Sequence, residues 1–176
     1  MSMTISEPSS YEAYSDLVDQ FQKRMKKEGH GSHEEFSNER EKGNPKVRRF
    51  IAANDNGLVV GWMTLKIQDE DLKIEGICAD PEKANSKGAA KALVTKAVNC
   101  SFQMGKNGVV TLTNASQGTG DRFYEYMGFK YVDPGSNKMR LTVDYTTWNS
   151  KQIGTVETKH GKLLPVIEHY RSDSGS

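Results

Sequence analysis

The sequence has few cysteines, and the two that it has are far apart. Among its 176 residues only Cys78 and Cys100 carry thiols, and neither belongs to a Cys-x-x-Cys pair. This spacing gives no support to a disulfide framework or to a cysteine-ligated zinc site. Both residues lie within apolar or helical patterns, so we interpret them as buried free thiols. No metal is predicted.

Long apolar runs and a secretory leader are also missing. No stretch approaches the roughly 20 apolar residues that cross a bilayer. Residues 1–10 are polar and have neither the basic start nor the apolar run of a leader. The sequence therefore predicts a cytoplasmic protein without membrane partners, although delivery into a host cell by another route stays open.

An excess of either charge is absent as well. Lysine plus arginine number 24 and aspartate plus glutamate 23, so the formal net charge is +1. A nearly neutral chain creates no general field that attracts nucleic acid or anionic membranes. Nucleic acid is thus not an expected partner, and any charged ligand has to be recognised by a local site.

What the sequence does contain is a regular succession of helical and strand-like patterns. Amphipathic spacing with start and stop signals predicts helices at 11–28, 32–41, 89–104 and 117–127. Apolar runs bounded by turn residues predict strands at 49–53, 58–67, 72–79, 109–113, 129–132 and 138–143. Residues 1–145 are therefore interpreted as one α/β domain, and 146–176 as a C-terminal extension with a hairpin near 152–167 and a flexible tail.

A segment of small residues joins the third predicted strand to the long helix. It reads Asn-Ser-Lys-Gly-Ala-Ala over residues 85–90. Small residues let the backbone N–H groups of a helix N-terminus approach a ligand, and the helix dipole favours a phosphate there. Taken alone, such a segment is more often an ordinary helix start, so its meaning depends on its context.

The helix predicted at 117–127 ends in an aromatic motif. Phe123, Tyr124 and Tyr126 are followed by Gly128 and Phe129, which gives the form Tyr-x-x-x-Gly-Phe. Glycine just after a helix is a common stop, but an aromatic pair, a spacer and Gly-Phe seldom coincide by chance. On its own the motif leaves Tyr124 as either a functional residue or a core aromatic.

In this order of elements the two motifs resemble those of the GNAT superfamily of N-acetyltransferases. The family's order is strand, helix, helix, three antiparallel strands, helix, strand, helix and two closing strands. The chain resembles it from about residue 11 to 143, with residues 3–5 as the opening strand. The resemblance implies an α/β (α+β) fold, with a mixed, mostly antiparallel twisted sheet of six to seven strands flanked by about four helices. Asn85 departs from the family's Gln or Arg, and the loop after Pro81 is one residue longer than usual.

The resemblance further implies acetyl-CoA as the acyl donor and a set of residues that bind it. Its pyrophosphate would lie on the amides of the 85–90 loop. Its pantetheine would follow the end of the third antiparallel strand, where neighbouring strands of the family splay apart. The family often has an Asn seven residues before the motif tyrosine, a spacing held here by Gln117, with Asn114 three residues further back. The implied cofactor-binding residues are Ile77, Cys78, Ala79, Asn85, Ser86, Lys87, Gly88, Ala89, Ala90, Asn114 and Gln117.

The implied reaction is attack of an amine on a thioester, which needs a base for the ammonium proton and an acid for the departing thiolate. By resemblance Tyr124 is the acid. Glu75 on the third strand is the candidate base, with a chain of waters as the alternative. Alternation predicts that Glu75 shares one strand face with Ile77 and Ala79, where burial would make its carboxylate a stronger base. A solvated or ion-paired Glu75 is the other interpretation.

Three further features are interpreted as structural. Residues 29–33 resemble a metal-binding tract, but no acids at matching spacing accompany His30 and His33, so we interpret the segment as a loop between helices. The basic run at 23–27 is typical of a solvated helix face rather than of a site for RNA or an anionic acceptor. Cys78 has no activating base nearby in sequence and is interpreted as packing.

The function predicted in this way is direct transfer of an acetyl group from acetyl-CoA to an amine of a small molecule, peptide or protein. Two alternatives stay open. One is a CoA-binding regulatory module without turnover, and the other is an effector or toxin that acetylates a macromolecule such as a protein or charged tRNA. The extension beyond residue 145 would cover the acceptor pocket, extend the sheet or mediate a homodimer, and the sequence does not choose among these.

Overall fold

The structure is a computed structural model, and it describes residues 3–30, 42–82, 86, 88–114, 121–143 and 170–174, the last five by their backbone alone. The helix predicted at 32–41 and the hairpin predicted near 152–167 lie outside the described residues. In chain order the described elements are β1 Met3–Glu7, α1 Tyr11–Lys27, β2 Val47–Ala53, β3 Val59–Ile67, β4 Leu72–Ala79, α2 Ala89–Gln103, β5 Val110–Thr113, α3 Asp121–Met127, β6 Lys130–Tyr131, β7 Lys138–Leu141 and β8 Tyr170–Ser174.

One sheet contains all these strands, in the order β6-β7-β5-β4-β3-β2-β1-β8. Neighbouring strands are antiparallel except for β4 with β5 and β1 with β8. The mixed, mostly antiparallel sheet of the predicted fold class is therefore confirmed. The sheet has one strand more than predicted because β8, from the tail expected to be flexible, pairs with the edge of β1.

Helix α1 packs on one face of the sheet. Ser10 caps its first turn by accepting a hydrogen bond from the N–H of Ala13, at 3.1 Å. The buried residues of α1 recur at helical spacing and meet Ile51 and Trp62 of the sheet. Each such side chain stabilises the fold by about 1.5–3 kcal/mol when fully buried. The buried residues of α1 are Tyr14, Val18, Phe21 and Met25.

Helix α2 packs on the opposite face and is more deeply buried than α1. Ten of its 15 residues are buried, several of them alanines that let the helix approach the sheet closely. Gly61 of β3 allows part of this approach. A Cβ there would lie 2.8 Å from the carbonyl oxygen of Cys78 and 3.3 Å from Leu93 Cδ1. The larger of the two cores lies between α2 and the sheet.

The sheet opens between β4 and β5. These strands pair only from Leu72 with Val110 to Ile74 with Leu112. Beyond that point the second half of β4 continues alongside β3 alone, up to Ala79 opposite Gly61. Among the described residues, one edge of this half-strand thus keeps its backbone groups outside the ladder. Every described helix is too short or too polar to cross a membrane.

Candidate functional site

A β-bulge marks the start of the opening. Leu65 pairs with Ile74 and the preceding Thr64 pairs with Gly76, so Glu75 is the extra residue of β4. The bulge reverses the faces of the strand beyond it. Ile74 before the bulge and Ile77 after it therefore both contact the α2 core. The pairing of β4 with β5 ends at Ile74, directly before the bulge.

Gly76 and Cys78 face the other way, toward α1. A Cβ on Gly76 would lie 2.8 Å from Trp62 Cζ3, so the indole covers this glycine closely. Cys78 is half-buried and packs against the α1 cluster that contains Trp62. The predicted pantetheine residues are thus divided between two environments, with Ile77 and Ala79 on the α2 core and Cys78 on the α1 side.

The position of Glu75 differs from the one predicted by simple alternation. Glu75 is exposed, and its Oε2 lies 3.9 Å from Nζ of Lys73. The prediction that it shares a buried face with Ile77 and Ala79 is wrong, because the bulge inserts one residue between them. Glu75 stands at the mouth of the opening as a solvated, ion-paired carboxylate.

The N-terminus of α2 follows the open end of β4 and lacks the usual cap. Gly88 occupies the N-cap position with φ of 88°, a left-handed conformation that favours glycine. Within the part of the chain that the structure describes, no side chain accepts from the first turn, and that turn holds no acidic residue. A Cβ built on Gly88 meets nothing within 4 Å. Ala89 is fully buried, whereas Gly88 and Ala90 are half-buried, so these two residues form the part of the helix start that a ligand can reach.

Ser86 is buried and stabilises the loop that leads to this helix. Its hydroxyl donates to the carbonyl oxygens of Asp80 and Glu82. Its role in the described structure is thus to hold the loop rather than to face the opening. Asn85 and Lys87, the other predicted residues of this loop, lie outside the described residues, as does Gln117.

Tyr124 lies on α3, half-buried between two aromatic rings. Its ring meets those of Phe123 and Phe129 edge-on, with centroids 5.5 and 5.8 Å apart. The aromatic helix exit has a structural reason, since Gly128 has φ of 107° and the N–H of Phe129 donates to the carbonyl of Tyr124 at 2.9 Å. The motif thus fixes the tyrosine by both its backbone and its ring.

The electrostatics of Tyr124 tie it to the end of β4. Burial raises the pKa of its phenol, and the neighbouring Cys78 raises it further. Burial, with a smaller contribution from Asp80, raises the pKa of the Cys78 thiol to about 11. Both groups therefore keep their protons at neutral pH. Cys78 is a neutral packing residue, as predicted from the lack of an activating base.

Asn114 has a structural partner where a ligand contact was expected. It follows β5, is buried, and donates from Nδ2 to the hydroxyl of Tyr131 at 3.3 Å. Its backbone N–H donates to the carbonyl of Asn137. These contacts join β5 to the β6–β7 hairpin beside the opening.

Sequence reasoning missed a link between α1 and the end of β4. Arg24 Nη1 donates to Oδ2 of Asp80 at 2.7 Å, and Nη2 donates to the carbonyl of Val59 at 2.6 Å. The Asp80 side chain is fully buried. Arg24 was interpreted as part of a solvated basic run, but it is a structural residue. No local signal distinguishes it, because Asp80 is 56 residues away.

The chain belongs to the acetyltransferase (GNAT) family, whose profile matches residues 11–129, more than half of its length. The resemblance inferred from the sequence is thereby confirmed, and family membership supports a transferase activity. No curated protein matches the chain.

Solved structures show the same fold. A GNAT-family acetyltransferase from Staphylococcus aureus Mu50 is 14% identical with a TM-score of 0.60, over 79% of this chain and 98% of that one. The PaiA N-acetyltransferase of Thermoplasma acidophilum, solved with coenzyme A, is 21% identical with a TM-score of 0.58, over 81% and 100%. A chimeric spermidine N-acetyltransferase from Vibrio cholerae and hSSAT is 17% identical with a TM-score of 0.54, over 81% and 96%.

Proposed function

We propose that the protein transfers an acetyl group from acetyl-CoA to an amine acceptor, directly and with both substrates bound. The observation that carries this proposal is the open end of β4, which leads to an uncapped helix N-terminus and carries Cys78, a residue that interacts electrostatically with the phenol of Tyr124. For a phosphate-bearing thioester, the helix N-terminus would bind the phosphate, and the phenol would protonate the thiolate that leaves.

The described residues fit coenzyme A. The positive φ of Gly88 and the space around it let a pyrophosphate approach the start of α2 at Gly88 and the half-buried Ala90, while Ala89 is buried beneath them. The unpaired edge of Ile77 to Ala79 offers backbone groups to the amides of pantetheine, as an added strand would. Binding would therefore be mainly to the backbone, which explains why a side chain at position 85 is free to vary from the family's usual choice.

In this proposal Tyr124 is the acid. The amine nitrogen attacks the thioester carbon, the C–S bond breaks, and the phenol donates its proton to the departing thiolate. The nitrogen then gives up its remaining extra proton through solvent, and the phenolate takes one up, which restores the acid. A phenol is a poor donor to an ordinary thiolate because its pKa is higher by about 1.5 units. Burial raises the pKa of the Tyr124 phenol as it does that of the Cys78 thiol, so the phenol keeps its proton until a thiolate forms beside it.

Glu75 is the proposed base. Its exposure at the bulge suits proton transfer through water rather than in a buried pocket. The nearby Lys73, with its Nζ 3.9 Å from Oε2, orients the carboxylate at the edge of the opening. An ammonium acceptor is attracted to this carboxylate and loses its proton there before attack.

The test is release of free thiol from acetyl-CoA in the presence of amines, peptides and aminoacyl-tRNA. Amine-dependent release, with a matching acetylated product by mass spectrometry, is expected. Tight binding of CoA without release for any acceptor would contradict transfer and support a regulatory module. Release only with a protein or charged tRNA would assign the acceptor to a macromolecule. Absence of CoA binding would overturn the proposal as a whole.

A further inference from the structure

We propose that Glu28, His30, Asp80 and Glu82 form a binding site for one divalent transition-metal ion of the zinc type. The four side chains come from the end of α1 and from the residues that follow β4. The sequence offered His30 within a histidine tract but no acids at matching spacing. The fold supplies them, because Asp80 and Glu82 approach His30 from 50 and 52 positions further along the chain.

The backbone holds His30 in place without any ion. Glu28 is the C-cap of α1, and Gly29 follows it with φ of 82°. The N–H of Gly29 donates to the carbonyl of Lys26, and that of His30 donates to the carbonyl of Met25 at 2.8 Å. This pair of bonds is a Schellman motif, which fixes the residue after the glycine. His30 is thus positioned by the helix end and not by a loose loop.

Asp80 and Glu82 are positioned from the other side. Asp80 Oδ1 accepts from the N–H of Glu82 at 2.8 Å, and Asp80 Oδ2 accepts from Arg24. The hydroxyl of Ser86 donates to the carbonyls of both acidic residues. The buried carboxylate of Asp80 is therefore oriented before any ion binds, and the backbone at Glu82 is held beside it.

The distances are close to those of a metal site. The ligand atoms of Glu28, His30 and Asp80 lie within 4.8 Å of one another. Nε2 of His30 lies 3.4 Å from Oε1 of Glu82. Two ligands bound tetrahedrally at about 2.1 Å from zinc are separated by about 3.4 Å. His30 and Glu82 already have this separation. The exposed, flexible side chain of Glu28 can move its carboxylate to the same distance from the ion.

The charges also favour a cation. Three carboxylates converge, and the guanidinium of Arg24, which contacts two of them, balances one charge. Arg24 does not occupy the site, because each carboxylate oxygen of Asp80 keeps a second lone pair. Hydrogen-bonded partners of this kind commonly orient carboxylates that bind a metal. An imidazole among the ligands favours zinc over magnesium or calcium, which prefer oxygen alone.

The position of the site gives it a consequence for the fold. It would join the end of α1 to the loop that enters α2, beside Ser86. A bound ion would therefore stabilise that junction in addition to the ion pair of Arg24 with Asp80. The four proposed ligands include no residue assigned to acetyl transfer, so the metal site does not depend on the protein being an enzyme.

The test is calorimetric titration of the tag-free, EDTA-treated full chain with Zn²⁺, with Mg²⁺ in parallel. We expect one equivalent of Zn²⁺ to bind and to raise the thermal midpoint, and Mg²⁺ to bind much more weakly. His30→Ala and Glu82→Gln should each weaken Zn²⁺ binding about 10- to 100-fold. Co²⁺ in place of Zn²⁺ should give visible absorption that both variants lose.

His33→Ala is the matched control, since it removes the other histidine of the tract and should leave the affinity unchanged. The variants are compared in EDTA to check that their folds are equally stable. Glu82→Gln keeps the shape of an exposed side chain and decides the matter if His30→Ala is less stable. Zn²⁺ binding that is absent, or that survives both His30→Ala and Glu82→Gln, would overturn the proposal.

Discussion

The two long helices of this chain begin in opposite ways. The first turn of α1 is capped by Ser10 and contains Glu12, so its amides are satisfied by the protein itself. The first turn of α2 has Gly88 in place of a capping side chain and no acid, although the helix is more deeply buried. In the proposed function this start of α2 binds the anionic part of the ligand, whereas that of α1 has only a structural role.

Gly88→Glu should have the largest effect on CoA binding, because it places a carboxylate where the phosphate is expected to bind. Two like charges about 4 Å apart repel by about 4 kcal/mol at an effective dielectric constant of about 20. The affinity for CoA, measured by calorimetry, should therefore fall about 100-fold or more. Gly57→Glu is the matched control, since Gly57 also has positive φ and open space around its Cβ, but lies in the β2–β3 turn. Equal affinities in the two variants would contradict the placement of the pyrophosphate.

The third helix, α3, contributes to the proposed site in another way, because it provides the side chain of Tyr124 rather than backbone amides. Tyr124→Phe removes the proposed acid and keeps the ring contacts with Phe123 and Phe129. Turnover should fall about 10²- to 10⁴-fold, with the dissociation constant of CoA unchanged, as measured by thiol release and calorimetry. Tyr126→Phe on the same helix, which loses a hydrogen bond from Lys91, is the control. Normal turnover of Tyr124→Phe would exclude the acid role.

Ser10→Ala removes the N-cap of α1, a kind of cap that α2 does not have. It should lower the stability of the fold without changing CoA binding. Loss of an N-cap hydrogen bond costs about 1 kcal/mol of unfolding free energy. Urea denaturation should show this decrease, while CoA affinity stays at the wild-type value. If Ser10→Ala weakened CoA binding by as much free energy as it destabilised the fold, the two helix starts would not have separate roles.

The last prediction concerns the pH dependence of stability due to Cys78, which packs against α1 and adjoins the residues leading to α2. Its thiol ionises near 9 when unfolded and at about 11 in the folded protein. Between these values the folded state holds a proton that the unfolded state has lost, so stability should decrease as pH rises from about 9 toward 11. Cys78→Ala should show a smaller decrease than the wild type in denaturation over this range. An identical pH dependence would contradict the burial of the thiol.

Much of the fold was predictable because its signals are local. The helix predicted at 11–28 is observed as Tyr11–Lys27, and that predicted at 89–104 as Ala89–Gln103. Turn residues separated the three antiparallel strands correctly, and the strand predicted at 72–79 has the bounds Leu72–Ala79. Both motifs also lie where predicted, since Gly88 starts a helix and Gly128 ends one.

The features that were not predicted depend on partners far away in sequence. The bulge at Glu75 is defined by the register of β4 against β3, although a glycine inside a strand, here Gly76, is a known signal for one. The pairing of β8 with β1 joins opposite ends of the chain. The partner of Arg24 lies in a different element. Alternation and composition contain no information on such pairings.

The burial of α2 lowers the conformational entropy that is lost when a ligand binds at the start of this helix. Its start is held by Ala89 and Ala92, both fully buried against the sheet, so the amides there are ordered before any ligand arrives. Fixing the backbone of one residue costs about 1–2 kcal/mol, and in this helix folding has already met that cost. A ligand anion at Gly88 would thus gain its hydrogen bonds with little further loss of conformational freedom.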